Sequence, residues 1–204
     1  FVATFDHVEA PEEVTIVEIG NAIGAFIAAE WQSHDSPFDR WLAGDTAALD
    51  VTQRRGIDLF FGKAGCASCH SGPLLSDQKF HALGLPRFGP GRTRRFDPMP
   101  RDPGRMCESY LLEYAYRFRT PQLRNVALTG PWGHNGAYPT LEGIVRHHLD
   151  PETARAAWRP ETATLPEVPW LAAGDFAIRE DRLETARHAA TLDRHGRRLP
   201  PRVR

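Results

Sequence analysis

The chain has 204 residues, of which 41% are hydrophobic and 25% are charged. This composition is typical of one globular domain and is too polar for a membrane protein. Its 25 basic residues are balanced by 26 acidic ones, so the formal net charge is -1. A balance of this kind gives no electrostatic basis for binding nucleic acid or an acidic membrane surface, and we expect neither as a partner.

The sequence contains no candidate membrane span and no recognisable leader. No segment approaches the roughly 18 to 20 consecutive apolar residues that a membrane helix needs. Phe1 starts neither a basic region nor an apolar one, so we expect a mature chain or a fragment of a longer protein. Three cysteines are too few for a disulfide scaffold, and we expect Cys107 to be a buried or free thiol.

Three helices are predicted in the first third of the chain. Apolar residues at three- and four-residue intervals predict an amphipathic helix over 14–31. Ser36 followed by Pro37 is typical of a helix start and predicts a short helix ending at Leu42. A third helix over 52–61 leads, through two glycines, directly to the first cysteine.

The rest of the chain is predicted to alternate loops with helices. Residues 71–105 are rich in Gly, Pro, Arg and Asp without sustained periodicity, which indicates a long ordered loop. Thr140 is the expected cap of a helix over 141–149, and a last helix is expected over 178–192. No pattern indicates a strand ladder. The predicted fold class is therefore all-α, with long ordered loops.

The strongest chemical signal is the sequence Cys66-Ala67-Ser68-Cys69-His70. This C-x-x-C-H spacing is the signature of covalent c-type haem attachment. The two thiols add to the porphyrin vinyl groups, and the adjacent imidazole becomes the proximal iron ligand. A structural zinc site would need two further ligands at matching spacing, and a thioredoxin-like motif would need a parallel sheet. We therefore predict haem c on Cys66, Cys69 and His70.

The residue on the other face of the iron decides whether that haem can bind a substrate. On the helix over 141–149, His148 lies within the apolar stripe, whereas His147 falls toward its edge. His148 is the candidate distal ligand, and the alternative is a core histidine bonded to a backbone carbonyl. Met99 and Met106, both in the irregular loop, are the other candidate ligands.

Several longer motifs surround the cysteines. They are SPFDRWL at 36–42, GIDLFFGKAGCASCHSG at 56–72, FRTPQLRNVALTGPWGHNG at 118–136 and TLE at 140–142. With these motifs the chain resembles the C-terminal haem domain of the bacterial di-haem cytochrome c peroxidase and MauG family. The resemblance implies an all-α c-type cytochrome domain over 51–204, preceded by linker helices over 1–50.

The resemblance also implies roles for individual residues. In the family, the position fourteen residues after the histidine that matches His134 carries the distal ligand, and that position is His148 here. The family has Met or Tyr there, so bis-histidine ligation would be a departure. A calcium ion bound through backbone oxygens is implied at Thr129 and Pro131, which could equally form a simple turn. His134 is a weak candidate for acid–base chemistry.

Family members carry a second C-x-x-C-H on an N-terminal domain, whereas this sequence has one. The resemblance therefore implies the electron-transfer half of a two-haem oxidoreductase that uses hydrogen peroxide. The second haem would lie on an N-terminal domain or partner chain, and an electron donor or protein substrate would complete the system. The alternative is a free-standing mono-haem electron-transfer cytochrome. Because haem is attached covalently outside the cytoplasm, we expect a periplasmic protein.

Overall fold

The computed structural model describes residues 1–32, 35–86, 92–94 and 97–164. The chain divides into two compact units, residues 1–51 and 52–204. The helix predicted over 178–192 lies outside the described residues. Within the described ranges, no helix is both long enough and apolar enough to cross a bilayer.

The first unit contains two of the predicted helices. Helix α1 spans Ile16–Glu30 and helix α2 spans Pro37–Leu42, which confirms both predictions to within two residues. At the start of α1, the Thr15 hydroxyl accepts the backbone N–H of Val17 and the Glu18 carboxylate accepts that of Thr15, at 3.2 and 2.8 Å. These bonds pair backbone donors that a helix start otherwise leaves unsatisfied.

The apolar face of α1 is exposed to solvent. Ile16, Ile23 and Phe26 are 78%, 55% and 58% exposed. Within this helix the buried residue is Glu18, at 8% exposure. The periodicity that predicted the helix is therefore not matched by burial of its apolar side chains.

Four helices belong mainly to the second unit. Helix α5 spans Leu141–Leu149 as predicted, because the Thr140 hydroxyl accepts the backbone N–H of Gly143 at 3.1 Å. The predicted helix before the cysteines is also confirmed. The remaining bounds are Val51–Phe61 for α3, Met106–Ser109 for α4 and Pro151–Ala157 for α6.

The helix-rich fold agrees only roughly with the predicted all-α class, because the described part of the second unit also contains two small antiparallel sheets. Strand β1, Phe80–His81, pairs with β4, Phe118–Arg119. Strand β2, Arg92–Arg94, pairs with β3, Asp97–Arg101. Strands this short contain too few residues to produce a recognisable alternation of polar and apolar side chains. The fold is helix-rich with two strand pairs inserted into its long loops.

A small core fixes α5 in the second unit. It consists of Leu85, Ala137, Tyr138 and Ile144, which are at most 8% exposed. The indole N–H of Trp158 donates to the Ala137 carbonyl at 2.9 Å and connects the segment after α6 to this core. The core therefore holds the helix that carries the predicted distal ligand.

Side chains also join the irregular segment 73–86 to residues far along the chain. The Arg124 guanidinium donates to the Pro73 carbonyl at 2.8 Å, and the Ser76 hydroxyl donates to the Thr120 carbonyl at 2.8 Å. The Asn135 amide donates to the Pro86 carbonyl, also at 2.8 Å. These bonds order a segment that has little regular secondary structure.

Candidate haem site

The cysteine motif follows the end of α3. Gly65, with φ of 68°, turns the chain into a 3₁₀ turn at Cys66–Ser68. This left-handed conformation is one that glycine adopts without a steric penalty. The backbone N–H of His70 then donates to the Cys66 carbonyl at 3.0 Å, which places the cysteines and the histidine on one compact turn.

Both motif cysteines carry thiols and are half-buried. Burial raises the pKa of the Cys66 thiol, because a thiolate loses solvation there. A half-buried pair with this spacing has the chemistry needed for two thioether bonds to one porphyrin.

His70 is oriented through one of its two ring nitrogens. Nδ1 lies 3.0 Å from the Leu75 carbonyl oxygen, and burial lowers the pKa of the imidazole. A neutral ring that donates from Nδ1 keeps a lone pair on Nε2. His70 therefore offers a metal ligand whose tautomer is fixed by a backbone carbonyl.

His148 has the same arrangement on α5. Its Nδ1 lies 2.8 Å from the Ile144 carbonyl oxygen, and burial lowers its pKa, with a smaller contribution from His70. The ring is therefore neutral and its Nε2 is available to bind a metal.

The structure brings His70 and His148 together. Their ring centres are 6.3 Å apart, and the ring planes are inclined by 57°. Imidazole nitrogens bind metals at about 2 Å, and each ring centre lies roughly a further ångström away, so imidazoles on opposite sides of one ion have centres about 6 Å apart. The observed separation matches that arrangement.

The placement of His147 corrects one expectation. The helical pattern assigned it to the edge of the apolar stripe, but it is 0% exposed. Its Nε2 donates to the Leu83 carbonyl at 2.7 Å, and its Nδ1 accepts the Tyr138 hydroxyl at 2.9 Å. Burial lowers its pKa to about 4. His147 is thus a core histidine bonded to a distant backbone carbonyl, and the role of His148 stays a prediction.

The methionine candidates lie on other elements. Met106 is half-buried at the start of α4, next to the buried Cys107. Met99 is in β3, and its side chain lies outside the described part of the structure. The ring contacts of His70 are with Phe60 and His148.

His134 packs against an aromatic ring. Its centre lies 3.5 Å from that of Phe118, with the planes inclined by 12°, and its Nε2 is 4.0 Å from an Asp102 carboxylate oxygen. Burial lowers the pKa of His134 to about 4, although Asp102 acts in the opposite direction. A neutral, stacked ring fits a structural role in the loop before α5.

The residues expected to hold calcium lie in an exposed turn. Thr129 follows a 3₁₀ turn at Val126–Leu128, and its hydroxyl donates to the Val126 carbonyl at 3.3 Å. The Gly130–Pro131 peptide bond is cis. Calcium takes six to eight oxygen ligands, so this turn could supply a minority of them.

Two polar residues that sequence analysis did not predict lie close to the second cysteine of the motif. Asp77 and His81 form a hydrogen bond of 2.7 Å, and potential metal-ligating atoms of Cys69, Asp77 and His81 all lie within 4.8 Å of one another. Burial raises the pKa of Asp77, but hydrogen bonds from Thr120 and His81 outweigh it and hold the pKa at about 2. Because Asp77 and His81 are in a loop and a two-residue strand, no periodicity indicated that they meet.

Comparisons with known proteins agree on one family. No protein-family model matches the chain. Cytochrome-c peroxidase IdrP1 of Denitromonas iodatirespirans is 41% identical over 53% of this chain and 34% of its own length. The methylamine utilization protein MauG of Methylorubrum extorquens is 37% identical over 57% of this chain and 30% of its own length. The chain therefore spans about a third of each relative.

A solved structure gives the same result. A crystal structure of a MauG-like protein associated with microbial copper homeostasis matches with a TM-score of 0.56 and 32% identity. The match covers 72% of this chain and 43% of the other. Peroxidases and MauG-like proteins are thus found both by sequence and by structure, and the chain is similar to part of the bacterial di-haem cytochrome c peroxidase and MauG proteins.

Proposed function

We propose that the chain is a six-coordinate, bis-histidine haem c domain of a two-haem peroxidase or MauG-like oxidoreductase. The observation that carries this proposal is the pairing of His70 and His148, whose ring centres are 6.3 Å apart. Cys66 and Cys69 would anchor the group, and His70 and His148 would hold its iron. Such a haem supplies a one-electron redox centre.

The cysteines and histidines of the site have the chemistry that binding of haem c requires. Two half-buried thiols lie on the same turn as His70, and each histidine is neutral with Nδ1 directed at a backbone carbonyl. The Leu75 and Ile144 carbonyls fix the ring orientations, and burial keeps protons off the ligating nitrogens. Because His70 and His148 would both hold the iron, we assign electron transfer to this domain and peroxide chemistry to another haem.

The resemblance to the family also suggests a second haem, a donor or substrate, a cellular location and a calcium site for the whole protein. We assign the peroxide-reactive haem to a second domain or partner chain, and the electrons or oxidising equivalents to a donor or protein substrate. Attachment of haem c places the protein in the periplasm. Calcium binding at Thr129 and Pro131 stays a prediction that needs ligands beyond this exposed turn.

The experiment is electron paramagnetic resonance of the ferric, haem-loaded chain. We expect a low-spin signal, and His148→Ala should convert it to a high-spin one because the distal position opens. The matched control, Met106→Ala, should leave the low-spin signal unchanged. A low-spin signal that survives in His148→Ala would contradict bis-histidine ligation.

The same spectrum separates the proposal from a free-standing cytochrome. Material that carries the second haem should add a comparable high-spin signal and turn over hydrogen peroxide. If the protein purified with its natural companions shows the low-spin signal alone and no turnover, it is a mono-haem electron carrier.

A further inference from the structure

A basic pocket lies beside the haem motif and is not used by the proposed function. Its volume is about 480 Å³. Its walls come from β1 and the residues on either side of it, from Arg105 just before α4, and from the segment between α4 and β4. The basic and aromatic residues that line it are Lys79, Phe80, His81, Arg105, Tyr114 and Arg117.

Arg105 is held in place by aromatic rings. Its guanidinium carbon lies 4.1 Å from the ring centre of Phe80 and 4.9 Å from that of Tyr114. Such contacts restrain the planar cation while its N–H groups remain the hydrogen-bond donors. Within the described part of the chain, no carboxylate pairs with this guanidinium. Among the described residues, Arg105 is therefore a restrained cation without a carboxylate partner, and its fork of N–H donors matches a planar bidentate anion.

The backbone around the pocket is also fixed. The Arg105 N–H donates to the Arg117 carbonyl at 2.9 Å, and the Thr120 N–H donates to the Lys79 carbonyl at 2.9 Å. These bonds hold three cationic side chains, Lys79, Arg105 and Arg117, around one cavity. The described lining residues include no acid, and the Asp77 carboxylate next to the pocket is bonded to His81. The three cations outnumber this one carboxylate, so the pocket favours an anion over a cationic ligand.

The pocket lies next to the cysteine motif. His81 lines the pocket, and it is also the residue whose ring nitrogen lies within 4.8 Å of the Cys69 sulfur. The pocket therefore borders the cysteine turn, and the haem-loaded chain is the form in which an external carboxylate has to be tested.

We propose that this pocket binds an external organic carboxylate. The Arg105 guanidinium pairs with the carboxylate, Lys79 and Arg117 add positive charge, and the exposed parts of Phe80 and Tyr114 contact the hydrocarbon body. An inorganic anion has no apolar atoms to contact the rings of Phe80 and Tyr114. An organic acid would contact both the cations and these rings.

The test is calorimetric titration of the haem-loaded chain with benzoate, using benzamide as the neutral probe of the same shape. We expect saturable binding of benzoate and at least about tenfold weaker binding of benzamide, since the charged contact is lost. Arg105→Gln should weaken benzoate binding by about tenfold or more. The matched control is Arg146→Gln, since Arg146 is exposed and paired with Glu142 on α5, and it should bind benzoate like the unaltered chain.

Three results would overturn the proposal. They are no benzoate binding to the haem-loaded chain, equal binding by Arg105→Gln, and binding that changes the low-spin haem signal, which would place benzoate at the iron. The ligand test does not depend on which residues hold the iron, so it and the His148→Ala experiment can fail separately.

Discussion

Helices α1 and α5 have the same kind of sequence pattern but opposite environments. Both have apolar residues at three- and four-residue intervals and a threonine cap. In α5, Ile144 is 8% exposed and His147 is 0% exposed. In α1, Ile23 is 55% exposed and Phe26 is 58% exposed. A periodic pattern thus predicts that a helix has an apolar face without predicting what covers it.

The two helices also place polar groups differently. In α5 the buried polar residue is His147, which connects Tyr138 to Leu83 inside the core. In α1 it is Glu18, which caps its own helix through Thr15. The first arrangement depends on tertiary structure and the second is local, so changes in α5 should affect the whole second unit.

The largest effect is expected from His147→Ala. It removes a fully buried ring and leaves the Leu83 carbonyl and the Tyr138 hydroxyl without their partner, so we expect a loss of about 3 kcal/mol in the free energy of unfolding. Urea denaturation of the haem-loaded chain measures it. Val145→Ala, on the same helix at 49% exposure, should cost less than about 1 kcal/mol. Equal losses in the two variants would contradict the assignment of His147 to the core.

The direct comparison uses one substitution on each helix. Ile144→Ala should reduce the free energy of unfolding by about 2 to 3 kcal/mol, since it opens a cavity in the core. Ile23→Ala removes an exposed side chain and should change it by less than about 0.5 kcal/mol. A large loss in Ile23→Ala would show that the apolar face of α1 is covered in solution.

A smaller effect is expected from Tyr138→Phe. The ring stays in the core, but the hydroxyl that donates to His147 Nδ1 is lost, so we expect a decrease of about 1 to 2 kcal/mol in the free energy of unfolding. The double variant with His147→Ala should lose less than the sum of the two single losses, because both changes break one hydrogen bond. Additive losses would mean that the bond does not contribute.

The smallest effect is the pH dependence of α1. Hydrogen bonds from Thr15 and His7 lower the pKa of Glu18 from its ordinary value of 4.5 to about 2. A lowered pKa means that the cap stabilises the helix fully above about pH 4.5 and that this stabilisation is lost as the pH falls toward 2. Carbon NMR of the Glu18 carboxyl measures the titration directly. In Glu18→Gln, the corresponding acid-induced loss of α1 helicity should disappear.

The helices and the cysteine motif could be predicted from the sequence because their signals are local. Thr140 and Ser36 cap their helices through atoms three residues away, and the C-x-x-C-H spacing lies within one turn of chain.

The features that were missed depend on contacts between distant residues. His147 is buried because Leu83 and Tyr138 surround it, which helical angles on α5 could not show. The strand pair β1 and β4 joins residues about forty positions apart and is two residues long on each side. The pocket around Arg105 is lined by residues 78–82 together with Arg105, Tyr114 and Arg117, so no single segment of sequence contained it.

The side-chain bonds that tie segment 73–86 to the later part of the chain have a consequence for folding. Arg124 and Pro73 are 51 residues apart, and His147 and Leu83 are 64 apart. Closing loops of this length has an entropic cost that local helices do not face, so such contacts form late. We therefore expect the local cysteine turn to form before these distant contacts close. If haem c is attached as proposed, the two thiols would be accessible for attachment during that interval.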